Sequence, residues 1–193
     1  MSINLLATVQ EKMGLSAVKK INPNTQSVTT DNKEDGEDAL SQACLTSALV
    51  GIYNLSRSEE GLKAIGGESI SSNWAAIIFG DNKNEVIKNI VAYSSSDEGT
   101  VTDKVNTIAA EAIKLVRENI PADNREKEIH NLIMAQRGFI LPYLPASLGL
   151  GKLLDDNTLD DATNKMKGPL SSLMHKIEKG FSGSETAEEA NRK

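Results

Sequence analysis

The sequence is poor in aromatic residues, which make up 4% of its 193 positions. Its core must therefore be built from Leu, Ile, Val, Ala and Met, side chains that pack readily between helices. It has one cysteine, Cys44, so no internal disulfide can form, which fits a reducing compartment. Long apolar runs are also missing. The longest, Trp74 to Phe79, is far short of the ~20 residues a membrane helix needs. The start, MSINLLATVQEKMG, lacks a basic stretch followed by an apolar one, so no signal peptide is expected and a bacterial cytoplasmic location is. No segment alternates apolar and polar residues over a strand's length, which leaves an all-α fold.

Positive charge is in deficit as well. The formal net charge is -6. Affinity for a phosphate backbone comes from Lys and Arg displacing counterions, so this balance argues against nucleic acid and against anionic membranes.

What is present is helical periodicity. Leu5, Leu6, Val9 and Met13 share a face, and Gly14 breaks the run, which predicts two short helices over 3–21. Residues 22–38 follow, with five acids and one lysine between 31 and 38, and little to bury. They read as a flexible acidic linker or surface loop. Residues 39–55, ALSQACLTSALVGIYNL, carry no charge and mix small with large apolar side chains. A helix apolar nearly all round belongs at the centre of a bundle. Ser56 and Glu59 have capping-box spacing, ahead of a short helix stopped by Gly66-Gly67. Another helix starts near Ser71 or Ser72 and ends at Gly80, and Asp81 is placed to cap the next. Val105, Ile108, Ala109, Ala112, Ile113 and Val116 give the cleanest helical stripe, closed by Pro121. A helix is expected over about 123–141, and a last amphipathic one follows Pro169. The whole reads as a single all-α, multihelical orthogonal bundle around the 39–55 helix, spanning 1–181, with a disordered tail at 182–193.

The stretch MAQRGFILPYLPASLGLGKLL (134–154) invites a ligand-loop reading. Yet Gly149-Leu150-Gly151-Lys152 fails the phosphate-loop pattern. Ala146 stands where the first glycine should, Leu153 replaces the Ser or Thr, and no strand precedes it. Pro142 and Pro145 serve as punctuation, since proline disfavours helix in the residue before it and suits the opening of a new turn. Core packing is the first reading of the leucines here, and a partner groove the second.

No catalytic, metal or cofactor constellation stands out. Glu126 and His130 are four apart, but two ligands do not make a metal site. Cys44, in an apolar helix, reads as an inert buried thiol, not a nucleophile. Asp155, Asp156, Asp160 and Asp161 lack the glycine and alternation of a calcium loop. Lys165, Lys167, Lys176 and Lys179 read as a solvated face without the aromatics that nucleic-acid stacking uses.

Three stretches carry a family resemblance. FGDNKNEVIKNIVAYSSSDEGTVTDKVNTIAAEAIKLV (79–116), QRGFILPYLPASLGLGKLL (136–154) and INLLATVQEKMG (3–14) together resemble the bacterial YidB-like helical proteins, a family of unknown function. The resemblance covers most of residues 1–154. It implies an all-α fold and transfers no catalytic residue.

Function is therefore expected to be non-enzymatic: interaction with an unidentified protein partner, or self-association. The candidate surface is Phe139, Tyr143, Leu144 and Leu148, which predicts an exposed apolar patch there. The alternative is nucleic-acid binding through the 82–117 helix pair. Lys83, Lys88, Lys104 and Lys114 in that pair are offset by Asp81, Glu85, Asp97, Glu98, Asp103 and Glu111.

Overall fold

Helix α2 (Gly36–Leu55) organises the molecule, because every residue from Ala39 to Ile52 is buried. In the computed structural model the described residues are 3–21, 36–67, 71–121 and 125–156. Among them the fold is all-α. Around α2 stand α1 (Leu5–Lys12), α4 (Trp74–Phe79), α5 (Lys83–Ser94), α6 (Glu98–Glu118), α7 (Arg125–Met134) and α8 (Arg137–Ile140), each in contact with it. Helix α3 (Glu59–Gly66) rests on α6 and α7, and the short α9 (Leu150–Leu153) rests on α5.

The uncharged composition of α2 explains its place. A helix with no single polar face can bury its whole circumference. Its small residues set the spacing: a Cβ at Gly51 would come within 2.8 Å of the Phe79 ring and 3.0 Å of Ile78. Helix α6 follows the expected stripe, with Val105, Ile108, Ala109, Ala112, Ile113 and Val116 all buried. Asp97 opens it, accepting the Thr100 N–H at 2.9 Å, as helix N-caps commonly do.

Several boundaries differ from the sequence expectation. Helix α2 begins at Gly36, so residues 36–38 leave the acidic linker. Glu37 and Asp38 fall in the first turn, where the helix dipole favours acids. The Ser56–Glu59 capping box does not form. Ser58 is the N-cap of α3 and accepts the Gly61 N–H, while Ser56 is buried and donates to the Tyr53 carbonyl. Asp81 does not cap α5. It lies in a 3-10 turn, Gly80–Asn82, that runs straight into the helix. Helix α4 starts at Trp74, later than Ser71 or Ser72. Its free Ala75 N–H is taken by the Asn106 side chain of α6 at 2.8 Å.

The helix expected over 123–141 is two helices. The chain breaks at Ala135-Gln136, and the buried Gln136 side chain turns to α1. It accepts the Leu5 N–H at 2.9 Å and donates to the Ile3 and Leu132 carbonyls at 3.0 Å. After Gly14 the chain is not helical, so only one helix forms in 3–21. The 22–35 part of the linker, the acids Asp160 and Asp161, His175, the lysines from 165 onward, the last helix and the tail lie outside the described residues. No helix among the described residues is long and apolar enough to cross a membrane.

Candidate interaction site

The 134–154 stretch turns a corner. Helix α8 gives way to a 3-10 turn at Leu141–Tyr143, then a second at Ala146–Leu148, then α9. Leu141 keeps helical angles (φ -56, ψ -37) although Pro142 follows it. The rule that proline pushes its predecessor out of the helical region is thus overridden here. Pro145 (φ -66) precedes the second turn as expected. Gly149 adopts φ +62, a left-handed value that favours glycine. Two asparagines of the α5 region pin the corner. Asn89 donates to the Leu148 carbonyl at 3.0 Å, and Asn82 to the Leu153 carbonyl at 2.6 Å. The backbone carbonyls of the glycine-rich turn are spent on the fold, and Lys152 is exposed.

This placement divides the four candidate surface residues. Leu148 is fully buried and Leu144 nearly so, both within the apolar core. As contact residues they are corrected: their side chains join the apolar core rather than facing outward. Tyr143 is half-buried and Phe139 is exposed. Phe139 is 41% accessible and, with Ile77, is one of two large exposed hydrophobic residues among those described. The extended four-residue patch therefore contracts to the Phe139–Tyr143 edge.

That edge borders a cleft of about 350 Å³ whose opposite wall is the N-terminal region, with Leu6, Gln10 and Val18 among its lining residues. The wall includes a non-helical strap, residues 15–21, laid across the bundle. Three side-chain or backbone devices hold it. Gln10 Oε1 accepts the Val18 N–H at 3.3 Å. Gln42 of α2 accepts the Lys19 N–H at 2.9 Å and donates to the Lys19 carbonyl at 2.8 Å. The Ile21 N–H donates to the Pro142 carbonyl at 2.9 Å. Gln42 Nε2 also donates to the Tyr143 carbonyl at 3.0 Å, so one buried amide ties strap and corner together. The strap is anchored further by Lys19, paired with Asp38 at 3.2 Å. The Asp38 carboxyl is held below its ordinary range by hydrogen bonds from Ser16 and Lys19, against a smaller effect of burial.

Sequence reading missed these glutamines. Their only local trace is a neutral polar residue inside an apolar pattern, Gln42 in the charge-free helix and Gln136 on an apolar face.

The remaining candidates fall apart as chemistry. Cys44 is fully buried, and burial pushes its thiol up to about 12, with Lys104 acting weakly the other way. His130 is half-buried, with Nδ1 3.1 Å from the Ser56 carbonyl. Asp156 is buried and pairs with Arg57 at 2.8 Å. Among the described residues, no three His, Cys, Asp or Glu side chains converge as a metal site would require. No protein-family model, curated protein or solved structure matches the chain.

Proposed function

We propose that this chain is a non-enzymatic helical interaction module, YidB-like and cytoplasmic, that meets a protein partner or a second copy through the Phe139–Tyr143 edge. The observation that carries the reading is Phe139, an aromatic side chain left exposed in a chain that has few aromatics. It stands beside a cleft whose far wall is fixed by buried amide hydrogen bonds. Aromatic residues on a prepared surface are the usual anchors of protein interfaces. A rigid wall reduces what binding must spend on ordering.

The nucleic-acid alternative has less support. Glu111 sits 3.6 Å from Lys114 of α6 and 3.7 Å from Lys12 of α1, which offsets both of these positive charges.

The test compares wild type with Phe139→Asp. Affinity capture from the native host and light scattering of the purified chain together read partner binding and self-association. Phe139→Asp should abolish one of these while leaving the thermal transition unchanged. Identical capture profiles and identical mass for both proteins would refute the proposal.

A further inference from the structure

The strap of residues 15–21 is held mainly by its backbone. Lys19 presents both its N–H and its carbonyl to the Gln42 amide, at 2.9 and 2.8 Å. Ile21, two residues on, donates its N–H to the Pro142 carbonyl at 2.9 Å. Val18 donates elsewhere, to Gln10 of α1 at 3.3 Å. Backbone groups of residues i and i+2 that share one set of partners, with residue i−1 turned to another, make the pattern of a strand edge. The Gln42 amide and the Pro142 carbonyl thus form an edge for an extended chain. Any residue except proline offers the same groups to it.

Two further observations bear on what this edge can take. No residue of the strap is buried, whereas α1 just before it buries Leu5, Leu6 and Val9. Leu15 and Val18 are only partly covered by the core. Segments with so little buried apolar contact open at low cost. Gln42 is 2% exposed, and its amide needs a main-chain partner whenever the strap leaves. Charge supplies the selection. Asp38 holds the Lys19 ammonium at 3.2 Å beside the same edge.

We propose that the Gln42–Pro142 edge is a receptor for an extended segment of another protein, with Lys or Arg opposite Asp38, and that the strap occupies it until such a segment takes its place. This is strand addition, in which main-chain bonds supply affinity and side-chain contacts supply selectivity. Exchange hands one wall of the Phe139 cleft to the partner. It does not require Phe139, since Phe139→Asp leaves Gln42, Asp38 and the Pro142 carbonyl in place.

The probe is a fluorescent peptide of residues 15–21, LSAVKKI, titrated into full-length protein. In wild type the tethered strap competes at an effective concentration on the order of 1 mM or more. Lys19→Pro in the chain removes the strap's N–H and its cation, and should strengthen peptide binding about tenfold or more over wild type. Ile21→Pro removes the second N–H, keeps the Lys19–Asp38 pair, and should act in the same direction. In the Lys19→Pro chain the peptide should shift the Gln42 side-chain amide resonances. Adding Gln42→Leu should abolish binding, and adding Asp38→Asn should weaken it about threefold, the scale of one exposed ion pair. A peptide that itself carries Lys19→Pro should not bind. The proposal is overturned by equal binding to wild type and both proline variants, by a complex in which the Gln42 amide resonances stay put, by binding that survives Gln42→Leu or the proline peptide, or by no effect of Asp38→Asn. Unfolding of both proline variants would make the strap indispensable to the fold and overturn it as well. A wild-type dimer that Lys19→Pro dissolves would assign the edge to a second copy's strap, against a separate partner.

Discussion

Gln42 and Lys19 meet as a two-point clamp, the glutamine amide accepting the Lys19 N–H at 2.9 Å and donating to the Lys19 carbonyl at 2.8 Å. The pair imitates one rung of a β-ladder, built from a side chain instead of a strand. It converts residues 15–21 from loose chain into a wall of the Phe139 cleft. Gln42→Leu keeps the volume and removes the clamp. It should cost about 1–2 kcal/mol, because partly buried backbone groups at Lys19 and Tyr143 lose partners. Hydrogen exchange would locate the effect. The Lys19 amide should exchange much faster than in wild type, while amides in the middle of α6 change only by the global loss of stability.

Close helix packing makes a graded glycine series. A Cβ at Gly61 would collide with the Leu55 backbone carbonyl, which cannot swing away, whereas one at Gly51 would press on the Phe79 and Ile78 side chains. Gly61→Ala should therefore cost about 3 kcal/mol and Gly51→Ala about 1–2 kcal/mol, the scale of core overpacking. Gly138→Ala meets nothing within 4 Å and should be neutral or slightly stabilising, since alanine is the better helix former. Chemical denaturation of the three variants checks the order.

Much of this architecture was legible in the sequence, and the unread part has a common cause. The charge-free run of α2 and the stripe from Val105 to Val116 announce themselves because the pattern and the burial share the same few residues. Gln136 does not. Its partner at Leu5 is 131 positions away, so nothing near it in the chain signals a hydrogen bond. The same holds for Gln42 and Tyr143, 101 apart. Leu144 and Leu148 were readable as apolar, but which side of the corner they occupy depends on Asn82 and Asn89 reaching across from the α5 region. Capping failed at Ser56 for a local reason: α2 continues its hydrogen bonding through the Ser56 N–H to the Ile52 carbonyl, and the new helix waits for Ser58.

Cys44 gives the fold an alkaline limit. Its thiol is raised from an ordinary 9.0 to about 12 by burial. Well below pH 9, at about pH 8 and under, it is neutral whether the chain is folded or not, and its contribution is constant. Between about pH 9 and 12 the unfolded chain ionises its thiol while the folded one does not, so stability falls as pH rises. Cys44→Ala should make that decline shallower. In wild type at pH 8, a disulfide reagent should label Cys44 only as fast as the bundle opens, and denaturant should remove the protection.

Site-specific photocrosslinking reads the proposed partner contact at the Phe139 edge directly. A benzophenone amino acid replaces Phe139 in one full-length protein and Ile77, the other large exposed hydrophobic residue, in a second. Irradiation in the producing cells should give a discrete adduct from position 139, either a dimer or a single partner, and none from position 77. An adduct from 77 alone, or none from 139 at matched expression and stability, would contradict it.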